Sequence, residues 1–130
     1  MNVEIDTEEK FTVITPNEAE ISANMTGELN DLLLSYLNKE TPHIILNMHE
    51  VTQLDDTTAE SIATIQQQFY EKNCSFIVCC LSEPIENQLD EQELLENMNV
   101  TPTESEAWDI VQMEEIEREI MNDFDDPEND

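Results

Sequence analysis

A single glycine, Gly27, stands among the 130 residues of this chain. Phosphate-cradling loops and dinucleotide fingerprints need several glycines at fixed spacing, so P-loop and Rossmann readings are excluded. Basic residues are almost as scarce. Lys and Arg total 4 against 32 Asp and Glu, a formal net charge of −28. Nucleic-acid binding draws on Lys and Arg to release counterions, and so few cations cannot supply them. An anionic membrane surface is excluded by the same sign of charge. No run approaches the ~20 apolar residues that span a bilayer.

Cysteine is limited to Cys74, Cys79 and Cys80. They form no C-x-x-C pair, and neither His43 nor His49 stands at metal-ligand spacing from them. Cys79 and Cys80 lie in the apolar run SFIVCCL, where cysteine packs as a small hydrophobe. The start, MNVEIDTEEK, is acidic and has no apolar core of the signal-peptide kind. An odd cysteine count without an export signal points to reduced thiols and a cytoplasmic location. No G-x-S-x-G elbow or H-E-x-x-H helix is present. Asp123, Asp125 and Asp126 resemble a calcium loop only in charge, since the turn glycine and the closing glutamate are missing. No catalytic residue, metal or cofactor is expected, and the chain reads as a non-enzyme. The composition leaves the oligomeric state open.

The acidity itself reads first as a solvated surface. Adaptation to a salty cytoplasm comes second, because salt shortens the Debye length to ~3 Å at 1 M. An acidic decoy that occupies a basic partner surface ranks last, because the carboxylates are spread along the chain.

What is present has α/β order. NVEI and FTVITP, residues 2–5 and 11–16, read as strands joined by DTEEK. Met25, Leu29, Leu32, Leu33, Tyr36 and Leu37 recur at helical spacing and predict a helix over 23–38. Gly27 falls inside it and costs up to ~1 kcal/mol against alanine. HIILNM, residues 43–48, has almost no polar alternation, which suits a strand buried on both faces. A second amphipathic helix is expected over 58–72, then a second buried strand over 75–81. The order β-α-β-α-β with continuous apolar strands argues for a mainly parallel sheet with right-handed crossovers. A shorter, broken helix follows Pro84, then a brief strand over 99–101. Thr103 and Glu106 form a capping box for the last helix. Ala107, Ile110, Val111, Met113, Ile116 and Ile120 are expected to give that helix its apolar side, with Trp108 at the margin. Residues 122–130, NDFDDPEND, read as an acidic, disordered tail after a domain over 1–121.

The stretch VTQLDDTTAESI, residues 51–62, is the most pointed. Thr57-Thr58-Ala59-Glu60 matches a capping box, with the Thr57 hydroxyl accepting from the Glu60 amide. Asp55 and Asp56 add favourable charge at the helix's positive end. A hydroxyl in that place is also open to a partner's active site, and a phosphate on it would add about −1.5 to −2 charge.

The strand IILNM, then HEVTQLDD, a hydroxyl pair at a helix start, and the strand SFIVCCL together resemble the STAS domain of bacterial anti-sigma factor antagonists. That family carries V-x-x-x-D-S-S-G at this point, and TPTESEAWDIVQMEEIERE resembles its C-terminal helix. The resemblance covers residues 9–120. It implies a mixed, mostly parallel sheet of four to five strands packed with about four helices. It also implies a non-catalytic switch in transcription regulation. The partner would be an anti-sigma factor that is a serine/threonine kinase of histidine-kinase-like ATPase type. By position Asp55 matches the motif aspartate, Asp56 replaces the first serine, Thr57 takes the acceptor position and Thr58 replaces the glycine. Asp56 puts a permanent charge beside the acceptor, and Thr58 puts a side chain in a kinase's path. Such a domain keeps either a switch at Thr57 or only a docking surface. Docking is expected through the second helix and the loop before it, with Glu60 and Ser61 as contact residues.

Overall fold

Two apolar tetrads make the centre of the sheet. In the computed structural model, which describes residues 1–124, β4 (Ile44–Asn47) and β6 (Phe76–Cys79) are buried at every position. They pair in parallel, from Ile44 opposite Phe76 to Asn47 opposite Cys79. β2 (Thr12–Pro16) joins β4 in parallel, and β1 (Val3–Thr7) closes that edge as an antiparallel hairpin partner of β2. β7 (Val100–Thr101) runs parallel to β6 at the other edge, giving the order β1-β2-β4-β6-β7. The expected mixed, mostly parallel sheet is therefore present with five strands.

Alternation along each buried strand sends side chains to two different helix layers. Ile44, Leu46, Phe76 and Val78 face α1 (Thr26–Ser35), α2 (Asp56–Glu71) and α3 (Glu83–Glu91) in the larger core. Ile45, Ile77 and Cys79 face α4 (Glu104–Phe124) in a smaller one with Phe11, Val13, Ala107 and Val111. Each such side chain removed from water contributes roughly 1.5–3 kcal/mol. Phe69 stands edge-on to Phe76 at 5.1 Å, and Trp108 edge-on to Phe11 at 5.0 Å.

The first predicted helix is a composite: α1 is flanked by short 3-10 turns at Ala23–Met25 and Tyr36–Asn38. The broken helix after Pro84 is α3 plus a 3-10 turn at Leu95–Asn97. The Thr103 cap forms as expected, with the Glu106 amide donating to Thr103 Oγ1 at 3.2 Å. α2 begins at Asp56, two residues before the predicted start. A second, two-stranded sheet was not foreseen: β3 (Glu20–Ile21) pairs in parallel with β5 (Gln53–Leu54). The expected tail begins inside α4, which runs to Phe124, and residues 125–130 lie outside the described residues.

α4 departs most from the sequence reading. Ala107 and Val111 are buried, but Met113 is 58% exposed, Ile116 55% and Ile120 48%. The face that meets the sheet continues instead with Glu114 and Arg118. Glu114 Oε1 accepts from the Tyr70 hydroxyl at 2.9 Å and the Ser75 hydroxyl at 2.6 Å. Arg118 Nη2 donates to Ser75 Oγ at 2.7 Å, and Asn99 Nδ2 donates to the Tyr70 hydroxyl at 2.7 Å. These bonds continue the face that Ala107 and Val111 lay on the sheet, and at ~100° per residue Met113, Ile116 and Ile120 point outward.

Candidate functional site

The C-terminal end of β4 runs into a loop whose backbone is committed at almost every step. Asn47 is buried, and its Oδ1 accepts from the His49 amide at 3.0 Å while its Nδ2 donates to Glu104 Oε1 at 2.9 Å. The Val51 amide donates to the Met48 carbonyl at 3.1 Å, and Ser82 Oγ donates to the Val51 carbonyl. The Thr52 and Gln53 amides both donate to the Ala19 carbonyl, and the Asp55 amide donates to the Ile21 carbonyl. The β3–β5 pair thus fixes the loop immediately before the hydroxyl pair.

Asp55, and not Thr57, caps α2. Its backbone is extended at φ −63° and ψ 141°, and its carbonyl accepts the first helical bond from the Ala59 amide at 3.0 Å. Its Oδ2 accepts from the Thr57 amide at 3.0 Å and also from the Thr57 hydroxyl. The predicted capping box does not form because an aspartate two residues upstream reaches the free amides first. Both bonds from Thr57 hold the Asp55 carboxyl below its ordinary range.

The two threonines have opposite fates. Thr57 is exposed on the first turn of α2. Thr58 is fully buried, with Oγ1 2.5 Å from Thr26 Oγ1, and joins α2 to α1. The side chain expected in a kinase's path therefore points into the helix interface. Asp56 and Glu60 are exposed beside Thr57, and Ser61 is half-buried. With Thr57 they occupy the outer surface at the tip of α2.

α3 clasps that tip. Gln88 Nε2 donates to the Leu54 carbonyl and to Asp56 Oδ1, both at 2.8 Å. Gln92 Nε2 donates to the Asp56 carbonyl at 3.2 Å. Gln88, Gln92 and Thr26 escaped the sequence reading, and no local signal marks them, since each acts across more than 30 residues of chain.

A concavity of about 580 Å³ lies elsewhere, between α2 and the turn before β7. Part of its polar lining, Gln66, Tyr70 and Asn99, is committed within the fold. Gln66 donates to the Phe76 and Asn99 carbonyls and accepts from the Asn99 amide, and Tyr70 is bonded to Glu114 and Asn99.

The mixed, mostly parallel sheet thus leads from its central strand, through the loop ending at Asp55, into α2. The family model described as the STAS domain matches residues 2–107. The chain belongs to the STAS domain family. Solved structures share the fold at low sequence identity. A Thermotoga maritima protein described as a candidate anti-sigma factor antagonist has TM-score 0.75 and 20% identity, over 85% of this chain and 94% of that one. An anti-sigma factor antagonist from Mycobacterium paratuberculosis has TM-score 0.72 and 16% identity, over 85% and 93%. The antagonist SpoIIAA in its unphosphorylated form has TM-score 0.68 and 15% identity, over 85% and 96%. No curated protein sequence matches the chain. Within this STAS domain, no helix among the described residues is long and apolar enough to cross a membrane.

Proposed function

We propose that this STAS domain is a non-catalytic interaction module of the anti-sigma factor antagonist kind, docking a partner through the tip of α2, with Thr57 as its phosphate acceptor. The partner class is a serine/threonine kinase of histidine-kinase-like ATPase type, met in the cytoplasm. One observation carries the reading. Of the two threonines in the motif position, only Thr57 presents its hydroxyl to solvent, while Thr58 is spent on Thr26. The clasp by Gln88 and Gln92 supports it further, because a fixed tip loses little conformational freedom on docking. A phosphate there meets the exposed carboxylates of Asp56 and Glu60, so it expels a partner by like charge and desolvation without refolding the domain.

The test is incubation with such kinases from the source genome and ATP, followed by mapping of the product by mass spectrometry. Phosphate on Thr57, and loss of the kinase complex in Thr57→Glu with an unchanged circular dichroism spectrum, is the expected result. Modification confined to other residues would end the switch.

A second reading has its own observation. The Thr57 hydroxyl already donates to the Asp55 carboxylate, which draws it away from an incoming phosphoryl group. In that reading the domain docks and is never phosphorylated. Kinase binding without Thr57 phosphate would select it.

A further inference from the structure

The sheet-facing side of α4 changes character halfway along. Ala107 and Val111 pack on Phe11, Val13 and Ile45, and Glu114 and Arg118 then continue the same face with hydrogen bonds to Tyr70, Ser75 and Asn73. At ~100° per residue, Met113, Ile116 and Ile120 fall on the opposite side of the helix. They are about half exposed or more. The i, i+3, i+7 spacing is that of a helix-pairing seam. Rotation cannot bury the stripe, because it would pull Glu114 and Arg118 from their partners and turn their charges into the sheet's apolar face.

Charge decides what covers it. Glu106 and Glu117 are exposed along one flank of the stripe and Glu119 along the other, and Asp109 continues the stripe's line one turn toward the N-terminus. A second copy would set these carboxylates against their own kind, each chain carrying −28. Residues 125–130, DDPEND, hold no apolar side chain beyond proline.

We infer that the outer face of α4 is a second docking surface, separate from the α2 tip, and that its occupant is an amphipathic helix of another protein whose apolar seam is flanked by Lys or Arg. The helix seats its aliphatic side chains on Met113, Ile116 and Ile120, and its cations meet Glu117 and Glu119.

The probe is a synthetic peptide of about three heptads with Ile and Leu at the seam and Lys on both flanks. Binding to the full chain is followed by fluorescence anisotropy at about 0.15 M salt. Two control peptides keep the Lys residues with Ser at the seam, or keep the seam with Glu at the flanks. The expected result is binding of the first peptide alone. It weakens at least tenfold in Ile116→Ser/Ile120→Ser, whose circular dichroism and urea midpoint match the parent. Equal binding of the Ser-seam peptide, or indifference to the double substitution, reduces the interaction to bulk charge and overturns the inference. So does binding of none of the three peptides. Sedimentation showing a dimer that the double substitution dissociates assigns the face to a second copy instead.

Discussion

Asp55 Oδ2 accepts from both the amide and the hydroxyl of Thr57. The aspartate is the cap and the threonine is its guest, which sets an order of mutational costs. Asp55→Ala removes the cap and is expected to destabilise the fold by about 0.5–2 kcal/mol. Thr57→Ala leaves the amide bond in place and should cost only a few tenths of that range. Urea denaturation of both variants checks the order. A larger loss from Thr57→Ala would restore threonine as the cap.

The Thr26–Thr58 pair predicts a rescue. Thr58→Val leaves the partly buried Thr26 hydroxyl without its partner, at a cost of about 1–3 kcal/mol. Removing the second hydroxyl as well, in Thr26→Val/Thr58→Val, should recover most of that loss, because a matched apolar pair strands nothing. Additive losses in the double-mutant cycle would show that the two hydroxyls act separately.

His43 is held below its ordinary pKa of 6.5, first by burial and then by Arg118, with Glu115 and Glu114 opposing. Its Nδ1 accepts from the Ser75 amide at 3.0 Å and its Nε2 lies 3.3 Å from Glu115, an arrangement made for the neutral ring. The unfolded chain therefore binds the proton more readily. The stability His43 contributes is intact above about pH 6.5 and is lost as pH falls through its lower folded value. An NMR titration should place its midpoint below 6.5, and Arg118→Leu should move it upward. A midpoint unchanged by that substitution would remove Arg118 from the cause.

Gly27 lies in the first turn of α1, and an added methyl group would meet nothing within 4 Å. Gly27→Ala is expected to stabilise the domain by up to ~1 kcal/mol through helix propensity and a less mobile unfolded chain. A rise in Tm checks it, and a fall would reveal a constraint on the α1 start outside side-chain packing.

The central architecture was legible because its strands repeat one chemistry. IILN and FIVC have no polar alternation, and only a parallel strand covered on both faces has use for that. β3 and β5 were not, since two residues each leave no period to read. The four consecutive residues Asp55 to Thr58 can all cap or begin a helix, and local sequence does not choose among them. The choice came from Ile21, Thr26 and Gln88, residues distant along the chain. α4 misled for a different reason. Met113, Ile116 and Ile120 share the apolar chemistry of Ala107 and Val111 but at ~100° per residue lie across the helix from them, and Glu114 and Arg118 hold the inward side through bonds to Ser75.

Those same bonds make α4 a helix in two parts. Up to Val111 it is glued to the sheet by displaced water. Past that point it is held by polar ties to Glu114 and Arg118, each with a net worth of about 1.5–3 kcal/mol. Its far half is thus expected to exchange its amide protons sooner than the strands beneath.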